Sequence, residues 1–183
     1  PVTNRADAAR KARRASVAAS VERDVRSCSC TTLGRDFQPD LAASALGEHL
    51  SIPEATAPVS VLDIGAGSGV WGIALAKQSP QVRIRAVDWS RVLEITKRVA
   101  ARQGVADRLT AAPGDFFEAD FGSGHQVATL GHILHSEGRD RSRRLLKKIW
   151  NALAPGGTIA IQEFVPNDER TGPLHTLIFA VNM

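Results

Sequence analysis

The run Val61-Leu62-Asp63-Ile64-Gly65-Ala66-Gly67-Ser68-Gly69 decides how this chain is read. An apolar stretch followed by three alternating glycines is the pattern of a buried strand that ends in a tight turn and opens a helix. Glycine has no Cβ and tolerates positive φ, so backbone at such a turn can come close to a nucleotide-like ligand. Asp88 lies about twenty residues beyond the turn, where a second strand should end beside the first, and an acid there suits a ribose diol. Glycine spacing then selects among nucleotides. The dinucleotide fingerprint Gly-x-Gly-x-x-Gly requires glycine at position 70, but that residue is Val70 and the third glycine comes one residue early, at Gly69. This argues against a nicotinamide dehydrogenase.

Working outward from the glycine run, strand and helix signals alternate. Leu41 to Leu50 reads as a short helix, and Pro53 and Pro58 break the chain before the first strand, Ser60–Ile64. The expected order continues with helix Val70–Gln78, strand Val82–Val87, helix Val92–Arg102 and a weak third strand, Leu109–Ala112. A short apolar fourth strand, Val127–Leu130, precedes helix Arg141–Leu153, whose Leu145, Leu146, Ile149 and Leu153 share one face. Pro155-Gly156-Gly157 turns the chain into strand five, Thr158–Gln162. Strands separated by helices imply parallel βαβ units in a doubly wound, Rossmann-like α/β sheet, for which the order is 3-2-1-4-5. Right-handed crossovers put all strand C-termini, with Gly65–Gly69 and Asp88, on one edge.

Composition narrows the function class. Hydrophobic residues make up 43% of the 183 residues, enough for a real core. No apolar run reaches the roughly eighteen residues of a membrane span, and no apolar segment follows the basic start as in a signal peptide. Cys28-x-Cys30 is neither a disulfide framework nor a zinc site, so two reduced thiols and a cytoplasmic location are expected, with no metal. Residues 1–37 carry eight Lys/Arg against four acids, whereas the remainder carries fifteen of each sign, so the excess charge sits in an arm. Residues 1–39 read as this basic helical arm and a linker, and 40–183 as the folded domain. No aromatic residue interleaves the arm's charges to stack on bases, which favours a solvated helix face or frayed tail over a nucleic-acid arm.

Acids recur at successive strand ends. Asp88, in Ala86-Val87-Asp88-Trp89, can accept both ribose hydroxyls, because a carboxylate offers two acceptor oxygens. Asp115, in Gly114-Asp115-Phe116-Phe117, can accept from an adenine amino group while Phe116 packs on the ring. Asp63 can either anchor the glycine loop or receive a ligand's ammonium.

The Asp63-x-Gly65-x-Gly67-x-Gly69 pattern resembles motif I of class I S-adenosylmethionine (SAM) methyltransferases. Residues 59–183 are similar to the cofactor domain of small-molecule O-methyltransferases, the plant caffeate-type and bacterial polyketide-tailoring enzymes. The matching stretches are VLDIGAGSG, AVDWSRVLE, GDFF, ILHSEGRDRSRRLLKKIWNALAPGG and IQEFVPNDERTGP. The resemblance implies SAM as cofactor, S-adenosylhomocysteine as product, and a small phenolic or polyketide hydroxyl as methyl acceptor. It places the cofactor against Asp63, Gly65, Ala66, Gly67, Gly69, Asp88, Trp89, Gly114, Asp115, Phe116, Gly131 and His132. It also implies a general base, His135 of Ile133-Leu134-His135, oriented by Glu163 at the end of strand five. A neutral imidazole suits this task at physiological pH, and a carboxylate on its other nitrogen fixes the tautomer.

Several positions depart from the family. Ser136-Glu137 stands where Asp-Trp often follows the histidine, and Gly131 where the plant enzymes have lysine. His132 lies one turn from His135 if the segment is helical, which makes it a rival base. The family's helical dimerisation domain and its last two strands, of seven, have no counterpart in this chain. A fragment or a truncated reading frame is therefore expected, with strand five as an uncovered edge and dimerisation or poor solubility as the consequence. Two further readings stay open: a non-catalytic SAM-binding remnant, and a nucleic-acid methyltransferase using the basic arm. The second lacks the Asn/Asp-Pro-Pro-aromatic motif of amino-group methylation.

Overall fold

The computed structural model describes residues 39–174 and 176–178. The expected arm and the Cys28/Cys30 pair lie outside these residues. The described part begins with helix α1 (Pro39–His49) and a 3-10 turn at Ile52–Glu54, after which strands and helices alternate except between the third and fourth strands, which a loop joins. Strands β1 (Val59–Ile64), β2 (Val82–Asp88), β3 (Leu109–Pro113), β4 (His125–Gly131) and β5 (Leu153–Gln162) are linked through helices α2 (Val70–Gln78), α3 (Ser90–Arg102) and α4 (Leu134–Ala152). Among the described residues the strands form one sheet in the order β3-β2-β1-β4-β5, with every pairing parallel.

Central strand β1 shows why its sequence is almost continuously apolar. Both faces of a parallel sheet are covered, so Val61 and Leu62 are each fully buried but in opposite cores. Val61 joins Ile73 and Leu75 of α2, Ile84 of β2, and Leu93 and Ala100 of α3. Leu62 and Ile64 join Val87, Leu130 and the α4 residues Leu145 and Ile149. Burying each such aliphatic side chain contributes roughly 1.5–3 kcal/mol. Strand alternation also directs Asp63 to the α2 side, where it meets Gly72.

Helix α4 and strands β4 and β5 differ most from the sequence expectation, β5 beginning at Leu153, five residues early. Helix α4 begins at Leu134, seven residues early, but Gly138 adopts φ 69° and ψ 168°, outside the helical region. A short turn carrying His135 is thus separated from the main helix by a residue whose backbone geometry suits glycine. The β4–β5 ladder pairs His125 with Leu153 and then Val127 with Thr158. The intervening residues 154–157 bulge out, and they contain the expected Pro-Gly-Gly turn. Strand β4 begins two residues early, at His125, whose imidazole is buried between the Ser60 hydroxyl and the Phe121 carbonyl. No helix among the described residues is long and apolar enough to cross a membrane.

Candidate functional site at the carboxyl edge of the sheet

Because all five strands run parallel, the segments after them converge on one edge. Gly65, Gly67 and Gly69 have φ values of 64°, 56° and 83°, the left-handed region in which a side chain is strained. Gly65 lies under Ile133, while a Cβ on Gly67 would meet nothing closer than 3.9 Å. The turn is therefore packed from below and open above, which is what close approach of a ligand needs. Ala66 is buried in the core, and its N–H and that of Gly65 both donate to the Val87 carbonyl.

Asp88 ties this turn to the next loop. Its Oδ2 accepts the Gly67 N–H at 2.9 Å and its Oδ1 accepts the Trp89 N–H at 2.7 Å. Burial raises its pKa above the ordinary carboxylate range, and the two backbone hydrogen bonds oppose that shift. Trp89 is 46% exposed beside it. The Gly114 N–H donates to the Asp88 carbonyl and brings the third loop alongside. In that loop Asp115 Oδ1 accepts the Phe117 N–H at 2.9 Å, and half-buried Phe116 reaches toward Gly65.

Asp63 sits deeper. It is 1% exposed, with Oδ2 accepting the Gly72 N–H and Oδ1 accepting the Thr129 hydroxyl at 2.8 Å. Burial pushes its pKa up to about 6, against the lowering effect of those two bonds. Both oxygens are engaged with α2 and β4, so the geometry favours the anchoring alternative over direct contact with a ligand's ammonium.

His135 and Glu163 meet at the same edge. His135 Nδ1 lies 2.9 Å from Glu163 Oε2, and the other Glu163 oxygen accepts the Leu134 N–H. His132 does not share a helix with His135. Its φ is +57°, its N–H donates to the Gln162 carbonyl, and its ring stacks on Phe164 with centroids 4.4 Å apart. The expected one-turn spacing fails because α4 starts only at Leu134. Desolvation lowers the His132 pKa, partly opposed by Glu163. Gly131, at the end of β4, accommodates the Trp71 indole, which occupies the space a Cβ would need.

These residues are brought together by the parallel sheet, and the chain matches the profile of the O-methyltransferase domain over residues 51–183. The chain belongs to the O-methyltransferase domain family. The family is SAM-dependent. Of the proteins to which it is similar, 3-hydroxy-5-methyl-1-naphthoate 3-O-methyltransferase of Streptomyces sahachiroi is 32% identical over 123 residues, covering 67% of this chain and 36% of that protein. L-tyrosine C(3)-methyltransferase of Streptomyces lavendulae is 32% identical over 114 residues, covering 62% of this chain and 31% of that one. A solved structure assigned as an O-methyltransferase of Nostoc punctiforme superposes with a TM-score of 0.71 at 35% identity, covering 78% of this chain and 42% of that one. The chain thus spans about a third of the length of these curated relatives.

Within this O-methyltransferase fold, four contributors were missed by reading strand ends alone. Thr129 anchors Asp63, and Thr96 donates to the Gly67 carbonyl at 2.7 Å. Trp71 packs on Gly131. Arg141 lies beside Asp115 and Phe117. Each acts across elements, and only Thr96, a polar residue on the buried stripe of α3, left a trace in the sequence pattern. No cluster of three or more metal-ligating side chains occurs among the described residues.

Proposed function

We propose that this chain binds SAM across the carboxyl edge of the sheet and serves methyl transfer to a small-molecule hydroxyl, with His135 as general base and Glu163 as the carboxylate that orients it. The observation that carries the reading is the 2.9 Å contact between His135 Nδ1 and Glu163 Oε2, at the same sheet edge as the glycine turn, where Ile133 packs against Gly65. With Glu163 Oε2 accepting the Nδ1–H, the imidazole lone pair is on Nε2. Nε2 then takes the proton from the acceptor hydroxyl as its oxygen attacks the methyl carbon. SAM, when bound, supplies an electrophilic methyl whose bond to sulfur breaks, leaving S-adenosylhomocysteine. Family membership supports the cofactor, and the open space above Gly67 and the acceptor oxygens of Asp88 and Asp115 fit its ribose and adenine. Trp89 and Gly114 flank those two sites. Alignment of oxygen, carbon and sulfur supplies most of the acceleration.

The test is calorimetric titration of SAM and S-adenosylhomocysteine into the chain, followed by turnover on a panel of phenols. Binding that His135→Gln preserves, with turnover that it abolishes, is the expected result. Unchanged turnover in that variant removes His135 from the role. Binding without turnover on any phenol favours the non-catalytic alternative. Absence of binding by the folded chain overturns the cofactor reading.

A further inference from the structure

Helix α4 presents Arg141, Arg144 and Lys148 to the loop after β3, at the i, i+3, i+7 spacing of one helix face. Lys148 Nζ donates to the carbonyls of Phe116 at 2.7 Å and Ala119 at 2.6 Å, and its ammonium lies 4.1 Å from the Phe121 ring centroid. The guanidinium carbons of Arg141 and Arg144 lie 4.4 and 4.8 Å from the Phe117 ring centroid. Arg141 alone of the three also reaches backward along its own helix. Its Nε donates to Glu137 Oε2 at 2.6 Å, and one Nη lies 3.9 Å from Asp115 Oδ2.

Glu137 is the last residue before the break at Gly138 and lies two residues beyond His135. The Arg141 side chain therefore spans that break. It connects the turn that carries His135 to the loop that carries Asp115. Asp115 has one oxygen fixed by the Phe117 N–H, and Arg141 faces the other from outside hydrogen-bond range. The Phe117 N–H fixes Oδ1, the nearby Arg141 charge favours one rotation of the carboxylate about that bond, and acceptor positions on Oδ2 are left open. A planar guanidinium suits this work, since one edge can hold Glu137 while its face covers Phe117.

We propose that Arg141 is a positioning residue that orients Asp115 and thereby sets the chain's preference for adenine over a 6-oxopurine. The proposal rests on the SAM reading above. A carboxylate aimed at the 6-position accepts hydrogen bonds from an amino group and repels a carbonyl oxygen. If the aim is lost, the preference falls even where general affinity survives.

The experiment compares S-adenosylhomocysteine with S-inosylhomocysteine, its 6-oxo counterpart, by calorimetry on the wild-type chain, Arg141→Met, Arg141→Lys and Glu137→Gln, with thermal melting of each. Arg141→Met is expected to lower the ratio of the two affinities by about ten-fold, about 1.4 kcal/mol. Arg141→Lys should recover part of the ratio, and Glu137→Gln should lower it by less than Arg141→Met. If Arg141→Met does not fold, Glu137→Gln decides. An unchanged ratio, or equal weakening of both ligands, overturns the proposal, and so does a ratio that rises, since Arg141 would then be reading the purine itself. Wild-type chain that binds neither ligand removes the cofactor reading instead. Wild-type chain that binds both alike removes the Asp115 assignment on which the proposal depends.

Discussion

Asp88 Oδ2 accepts the backbone N–H of Gly67 at 2.9 Å, across twenty-one residues of sequence. The acid at the end of β2 thus shapes the glycine turn at the end of β1 as well as facing the space above it. A carboxylate oxygen with one backbone donor retains a second lone pair, so Asp88 can hold the loop and accept from a ribose together.

Asp88→Ala is therefore expected to reduce S-adenosylhomocysteine affinity by about a hundred-fold, because it removes the proposed ribose acceptor and the tether on Gly67. Asp88→Asn should weaken it less, since the amide oxygen can still accept the Gly67 N–H. Calorimetry on the folded variants is the check, and near-wild-type affinity for Asp88→Ala would place the cofactor elsewhere.

Gly67 and Gly69 separate open space, where the proposed cofactor would lie, from packing. Both have positive φ, but a Cβ on Gly67 enters open space, whereas one on Gly69 comes within 2.7 Å of the Ile73 side chain and 3.0 Å of Thr96. Gly67→Ala should cost about 1 kcal/mol of stability from backbone strain and a disproportionate loss of SAM affinity. Gly69→Ala should cost more stability, about 1–3 kcal/mol, through overpacking. Paired urea melts and titrations would expose an error if the two variants behaved alike.

Glu163→Gln tests the pairing with His135. A glutamine side chain can donate to Nδ1 and so favour the tautomer with its proton on Nε2, which cannot act as a base. Turnover is expected to fall by roughly 10²–10⁴ with S-adenosylhomocysteine affinity nearly unchanged. A matching loss of affinity would instead indicate that Glu163 holds the cofactor edge together.

Asp63 links stability to pH. Its folded pKa of about 6 lies above its ordinary value of 3.8, so the folded state binds the proton more tightly. The associated stability is fully present below the unfolded value and is lost as pH rises through about 6, a swing of at most about 3 kcal/mol. Asp63→Asn carries no such charge and can satisfy both the Gly72 N–H and Thr129. Its stability relative to wild type should therefore rise between pH 4 and pH 7. Parallel stability curves from urea unfolding across that range would contradict the assignment.

Much of this architecture was legible in the chain. The Val61–Gly69 run, the alternating strand and helix signals and the Asp88 and Asp115 positions are local patterns, and parallel pairing carries them to one edge. That His132 has a left-handed backbone and shares no helical turn with His135 was not legible, since its N–H pairs with the Gln162 carbonyl thirty residues away. The bulge at residues 154–157 was legible as Pro-Gly-Gly, but its lodging inside the β4–β5 ladder was not.

The sequence by itself determined which segments are strands, where they end, and that glycines and acids line those ends, since period, turn chemistry and residue type act over a few neighbours. Tertiary structure decided what those residues do. Asp63 became an anchor because Thr129, sixty-six residues away, sits beside it in β4. Arg141 became a link because the loop after β3 places Asp115 beside the same side chain that pairs with Glu137 four residues earlier. Thr129 and Asp115 are partners chosen by the packing of separate elements, and a hydrogen bond or ion pair of that kind, unlike the i, i+4 pair of Glu137 with Arg141, has no periodicity along the chain from which it can be read.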